Sequence, residues 1–211
     1  MKAAAVATAA MVLVGCQDNV ATPFPPGLEP LDDNTVADAP GAPTEELRTT
    51  TVSGDPVNVH GRGYVLVAPG ALWALTKQPA AMIARCSTDE QQITESNDAD
   101  YERSFLVHYI VRDVLTVEWD DQWRYGVVTG TTDAPVLGMI RHQKTQGSDF
   151  ITVSEGTVQV LATDDPEVSE LAFVEHLDAV SGGSGDVVAG MQTNYDALVA
   201  LAHGAPIPPC R

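Results

Sequence analysis

The chain has 211 residues, with 29 Asp and Glu against 11 Lys and Arg, for a formal net charge of −18. That balance excludes a nucleic-acid binder, because affinity for a polyanion comes largely from basic side chains that displace its counterions. It also disfavours electrostatic adhesion to anionic lipid.

The first fifteen residues carry one charge, Lys2, then a small and apolar run from Ala3 to Val14, then Gly15 and Cys16. This is the layout of a secretory leader. A bilayer-spanning helix needs about 20 apolar residues, and this run stops after about a dozen at the polar Gln17, Asp18 and Asn19. Leu13-Val14-Gly15-Cys16 resembles the lipobox of bacterial lipoproteins. The resemblance implies cleavage before Cys16, acylation of its thiol and a lipid membrane as partner, and two or three chains anchor effectively permanently where one does not. Residues 1–15 are therefore expected to be a signal peptide, and the mature protein to sit in the cell envelope. Gln17 in place of Asp leans toward the outer membrane by analogy with enteric bacteria.

From Gln17 to about Asp55 the chain is rich in Pro, Ala, Asp and Thr and lacks an apolar period. Such composition does not bury enough surface to order itself. Residues 16–55 are expected to form a lipidated, flexible tether that holds the next domain about 30–40 Å from the membrane on average.

Residues 56–211 suit one domain. Val57, Val59, Gly61, Gly63, Val65 and Val67 alternate with Asn58, His60, Arg62, Tyr64 and Leu66, which reads as a strand with one small-residue face. Ala71 to Leu75 and Pro79 to Arg85 read as two short helices with a break at Lys77-Gln78-Pro79. Strand signals then fill Gln91–Ser96, Ser104–Arg112, Leu115–Thr129, Leu137–Thr145, Phe150–Thr163 and Ser169–Ala179. Their short connections imply antiparallel neighbours. After Ser181-Gly182-Gly183-Ser184-Gly185, the helical stripe Val188, Met191, Tyr195, Leu198 and Ala202 predicts one long helix, ended by Gly204 and Pro206.

This order, with Val65-Leu66-Val67-Ala68-Pro69-Gly70-Ala71-Leu72-Trp73 and Leu171-Ala172-Phe173-Val174-Glu175-His176-Leu177-Asp178, resembles the START-like superfamily, which includes Bet v 1-type and polyketide-cyclase-type proteins. The resemblance implies an α+β helix-grip fold, a curved antiparallel sheet wrapped around the last helix. It also implies a mostly apolar cavity between sheet and helix for hydrophobic small molecules or lipids.

Strand parity puts Phe105, Val107, Tyr109 and Val111 on the inner face with Leu115, Val117, Trp119, Trp123 and Tyr125. Trp73, Phe105, Tyr109, Trp119, Trp123, Met139 and Met191 are the candidate cavity residues. Two alternatives stay open: an enzyme of cyclase or hydratase type using an inward His or Tyr109, and a filled core that serves structure or partner binding. No nucleophile or cofactor motif is present; His60, His108, His142 and His176 lie on different predicted strands without metal-ligand spacing, so neither cofactor nor metal is expected. Asp120 and Asp121, adjacent on a strand, point to opposite faces. Cys86 and Cys210 form either a disulfide, as an exported protein favours, or two separate thiols. The START-like arrangement would bring them toward one another.

Overall fold

The computed structural model describes residues 18–83, 86–112 and 114–209. The expectations for residues 1–17 and for Cys210 lie outside the described residues. The elements are β1 (Arg48–Val52), β2 (Val57–Val65), α1 (Pro69–Thr76), α2 (Pro79–Met82), β3 (Glu90–Glu95), β4 (Arg103–Arg112), β5 (Thr116–Thr131), β6 (Ala134–Gly147), β7 (Ile151–Ala162), β8 (Ser169–Ala179) and α3 (Ser184–Ala202). The strands form one antiparallel sheet in the order β1-β2-β8-β7-β6-β5-β4-β3. With α3 against its inner face, this is the helix-grip fold.

The inner face follows from period-two alternation. In-register neighbours share a face, so Val59, Gly61 and Gly63 on β2 continue into Leu171, Phe173 and Glu175 on β8, then Val160, Val158 and Gly156 on β7. Ile140, His142 and Lys144 on β6 follow, then Tyr125, Trp123 and Asp121 on β5 and Phe105 and Val107 on β4. The helix lies where side chains are smallest. A Cβ on Gly63 would come within 2.7 Å of the Tyr195 ring, and one on Gly61 within 3.2 Å of Met191 Sδ. The glycines therefore let α3 seat directly on β2, where the Tyr195 hydroxyl donates to the Tyr64 carbonyl at 2.5 Å. Burial of Met191, Tyr195 and Leu198 secures it, each worth about 1.5–3 kcal/mol. Asp186 accepts from the Gly183 N–H at the start of α3, and Gly204 at φ 67° ends it.

The two ends of the sheet differ. At one, the base, lie the β5–β6 turn, α1 and α2, with α1 and α2 packed on α3. At the other, the rim, β4 turns into β5, β6 turns into β7, and β8 finishes before the loop that enters α3.

The N-terminal segment corrects the sequence-based expectation of a flexible tether. Residues 18–38 run as a strap over the outer face, Glu46 and Leu47 pass to the inner side beside Gly63 and Gly61, and β1 adds an edge strand to β2. The Val20 and Thr22 N–H groups donate to the Gly147 and Thr145 carbonyls at 2.9 and 2.8 Å. Arg124 donates to the Pro25 carbonyl at 2.6 Å and stacks 3.8 Å from the centre of the Phe24 ring. Gln143 donates to the Pro23 carbonyl, and the Gly27 N–H donates to the Tyr101 hydroxyl. Asn34 Nδ2 donates to the Gly61 and Phe173 carbonyls at 2.8 and 3.0 Å, and Val36 is buried. The segment orders because it borrows polar partners from the sheet, which a composition argument about its own apolar content does not count.

Two histidines tie the strap down with opposite pH dependence. The Thr35 N–H donates to His60 Nδ1, which must be unprotonated to accept it. Burial, reinforced by His176 and opposed by Asp32, lowers the His60 pKa from its ordinary 6.5. His176 bridges Glu155 at 3.0 Å and strap residue Asp32 at 2.9 Å. The Glu155 hydrogen bond, aided by Asp32 against burial, raises its pKa above 6.5. The His60 contribution is present above pH 6.5 and is lost as pH falls through its lowered folded-state value; the His176 contribution is present below 6.5 and is lost as pH rises through its raised one.

In native-state hydrogen exchange we expect the amides of Val20, Thr22, Gly27 and Thr35 to be at least about tenfold protected over free peptide. The Thr35 protection factor should fall first on acidification. Free-peptide rates at these amides at neutral pH would show that the strap is undocked.

Candidate functional site

The interior of the grip is filled at the base and hollow at the rim. Toward the base, Trp73 and Tyr125 have ring centroids 6.1 Å apart, Phe105 and Tyr125 5.7 Å, and Phe105 stacks on Trp123 at 6.1 Å. Burial raises the Tyr125 pKa. Toward the rim a cavity of about 490 Å³ lies between the sheet and the first half of α3. Its apolar wall includes Val111, Val117, Trp119, Leu177, Val187 and Met191. Exposed Ser87, Ser181, Gly182 and Asp186 mark its opening. The volume lies within the range of small-molecule sites.

Of the residues singled out from sequence, Trp119 and Met191 line this cavity. Trp73, Phe105 and Trp123 are buried in the aromatic packing beside it. Tyr109 stacks on Trp119 at 5.1 Å and donates its hydroxyl to the Ile83 carbonyl at 3.0 Å, so its phenol serves to close the wall. Met139 corrects the expectation. It pairs with Gly126 on the outer face, where a Gly126 Cβ would come within 2.5 Å of Leu28 on the strap. Its burial comes from the far side of the sheet, and its neighbour Ile140 takes the inward position.

The polar feature of the cavity is Glu175, which strand parity on β8 marks as the charged member of the inward series Leu171, Phe173, Glu175 and Leu177. Glu175 Oε1 lies 3.1 Å from Nε2 of His142, whose ring stacks on Trp123 at 4.3 Å. Gly156 on the intervening strand makes this possible, since a Cβ there would lie 2.3 Å from His142 Nε2 and 2.4 Å from Glu175 Oε1. The buried Nδ1 of His142 and Nε1 of Trp119 and of Trp123 have no hydrogen-bond partner among the described residues. Ser154, His176 and Asn194 also border the chamber, and Glu175 gives it a half-buried carboxylate able to accept a hydrogen bond from a hydroxyl or amine.

Deeper in the wall, Asp121 and Lys144 are buried and in register. Lys144 Nζ donates to the Ser148 and Ile151 carbonyls at 2.9 and 2.6 Å, which locks the β6–β7 turn. Burial lowers its pKa against the opposing pull of Asp121 and Asp149. A second, more polar cleft of about 420 Å³ lies outside the sheet between the start of the strap and β4–β6, where His108 Nδ1 meets Asp120 Oδ1 at 2.7 Å. No group of three or more potential metal ligands occurs among the described residues, and no helix among them is long and apolar enough to cross a membrane.

No family model matches the sequence, and no curated protein matches it. Solved structures do match in shape. The human StarD13 (DLC2) lipid transfer and protein localization domain is similar over 80% of this chain and 88% of its own, at 9% identity and a TM-score of 0.51. The Zhui aromatase/cyclase of a Streptomyces species covers 75% of this chain and 94% of its own, at 12% identity and a TM-score of 0.46. A STAR-related lipid transfer protein fragment from Xanthomonas axonopodis covers 81% and 92%, at 12% identity and a TM-score of 0.46. At such identities the likeness is one of fold.

The division into filled base and hollow rim has a direct test. A Cβ on Gly138 would meet the Trp73 ring at 2.7–3.1 Å, whereas one on Gly190, in the cavity wall, meets nothing within 4 Å. We expect Gly138→Ala to lower stability to urea by about 1–3 kcal/mol, and Gly190→Ala to leave it unchanged or raise it by up to about 1 kcal/mol through helix propensity. Equal losses in both variants would contradict the division.

Proposed function

We propose that this domain binds a hydrophobic small molecule or lipid in the rim cavity, with a hydroxyl or amine of the guest donating to Glu175. The observation that carries the reading is the chamber of about 490 Å³, apolar on most sides and closed at the base by packed aromatic rings. The helix-grip fold it shares with the human lipid transfer domain supports it. In this reading the protein is also an envelope lipoprotein, exported by residues 1–15 and acylated on Cys16, on the strength of its leader and lipobox-like tetrapeptide. Cys86 and Cys210 are proposed to pair in the oxidising compartment that export implies.

The His142 and Glu175 pair favours one second reading, a cyclase or hydratase in which the dyad moves a proton on the guest. Incubating the purified protein with its own extracted guest separates the two. Turnover that is lost in Glu175→Gln means the enzyme, and an unchanged guest means the carrier.

For binding itself, native mass spectrometry of protein from a bacterial host should show a co-purifying apolar molecule. A fluorescent long-chain alcohol should bind, and more tightly than the matching hydrocarbon. Gly190→Leu puts a side chain into the open cavity, so it should weaken the alcohol at least about tenfold, or 1.4 kcal/mol, without lowering the unfolding midpoint. Glu175→Leu should remove the preference for alcohol over hydrocarbon. Probe affinity unchanged by Gly190→Leu, or no binding of any apolar probe, would overturn the proposal. Incorporation of labelled palmitate, lost in Cys16→Ser, tests the lipid anchor.

A further inference from the structure

The strap, the cavity and the exposed apolar side chains converge on one end of the molecule. At its start the strap is fixed to the β6–β7 turn. The Asp149 N–H donates to the Asp18 carbonyl at 3.0 Å, the Gly147 N–H to Asn19 Oδ1 at 2.9 Å, and the Val20 N–H to the Gly147 carbonyl at 2.9 Å. Lys144 holds that turn from inside. Phe150 and Ile151, which follow it, belong to the cavity wall. Cys16 precedes Asp18 by two residues, a reach of about 7 Å at most.

The same end carries the two most exposed large apolar side chains among the described residues. Val114, in the β4–β5 turn, is 91% exposed, and Val180, just past β8, is 79% exposed, against 55% for Val136 and 52% for Val128 at the base; Leu115 and Val20 add 48% and 42% at the rim. Val111 and Val117, which flank the β4–β5 turn, and Ala179, next to Val180, line the cavity. These tips therefore stand around its opening. Exposed carboxylates of Asp18, Asp178 and Asp186 stand among them. Apolar tips with acidic neighbours suit an electrically neutral lipid surface and not an anionic one.

We propose that the rim is a membrane-contacting face. In this arrangement the docked strap and the acyl chains on Cys16 press the cavity mouth against a zwitterionic bilayer, so that a guest passes between bilayer and chamber without crossing water. The passage rests on the ligand-binding and lipid-anchor readings; the contact of Val114 and Val180 with lipid does not depend on whether a guest binds.

The test uses the acylated full-length chain reconstituted into phosphatidylcholine vesicles with brominated acyl chains, which quench a nearby indole. The indole added by Val114→Trp or by Val180→Trp should be quenched at least twofold relative to unbrominated vesicles. The indole added by Val128→Trp or by Val136→Trp, near the β5–β6 turn at the base, should not be. Retained circular dichroism and unfolding midpoint establish that each variant folds. Equal quenching at both ends, quenching only at the base, or a chain that does not partition to the vesicles would each overturn the proposal. Binding of the fluorescent alcohol to the Cys16→Ser chain in free solution is measured separately. Rim quenching without alcohol binding would uphold the membrane-contacting face and discard the ligand reading, whereas alcohol binding without rim quenching would do the reverse.

Discussion

The seat of α3 on the two glycines of β2 is the constraint from which the rest of the architecture follows. A helix laid on a sheet normally stands about 10 Å away, separated by a full layer of side chains. At Gly61 and Gly63 that layer is missing, so Tyr195 and Met191 descend onto the β2 backbone. The helix is thereby pinned to one side of a strongly curved sheet. Whether the remaining space is filled then depends on which side chains the opposite strands supply. At the base they are Phe105, Trp123 and Tyr125, which with Trp73 of α1 are large enough to fill it. At the rim they are Val111, Val117 and Trp119, and the gap stays open.

Polar groups in this interior oppose folding unless they are paired. Asp121, Lys144, His142 and Glu175 are carried on the inner face of a domain with ample apolar residues to replace them. Breaking a buried ionic pair costs several kcal/mol, yet replacing the whole pair with apolar residues is often neutral or stabilising. Lys144 and Glu175 serve different ends. Lys144 spends its hydrogen bonds on backbone carbonyls of the β6–β7 turn and so fixes the anchor point of the strap. Glu175 spends one oxygen on His142 and borders the chamber with the rest of its carboxylate. The first is architecture, and the second is the chemistry that the proposed guest would meet.

Seven of the eight strands and the long helix were legible in the sequence because half-burial writes its period directly into the chain, whereas β1 lay in the segment read as a flexible tether. The alternation of Val57 through Val65 locates β2, and the stripe from Val188 to Ala202 locates α3 to within four residues at its start and to the residue at its end. The two methionines show where this fails. Met139 and Met191 have the same chemistry, but Met139 sits in a strand whose outer face is also buried, under the strap, so hydrophobicity ceased to report which way it points. The strap escaped notice for a related reason. Asn34, Gly27 and Thr35 are held by the backbone and by polar side chains more than a score of residues away, and no local period encodes such contacts. Glu175 was legible in principle, as a charged residue in an inward apolar register, but only once the parity of β8 had been tied to that of its neighbours.

Ordering the strap changes what an anchor at the N-terminus can do. A flexible leash of the same length would let the domain tumble within a shell some tens of ångströms deep, with every face meeting the membrane in turn. A strap hydrogen-bonded from Asp18 to Asn34 across the outer face removes nearly all of that freedom and leaves one residue, Gln17, between the bonded Asp18 and Cys16. With the proposed anchor on Cys16, orientation would follow from connectivity, because the end of the sheet that receives the strap is the end where the chamber opens. The loss of conformational entropy in the strap is offset by bonds made to polar groups that the outer face would otherwise leave to solvent, including the Arg124 guanidinium and the His60 imidazole. A hydrophobic guest entering such a chamber would exchange one apolar environment for another. Under the proposed anchor, the barrier to its transfer would be set by the short polar interval between bilayer and rim, and docking the strap would be what makes that interval short.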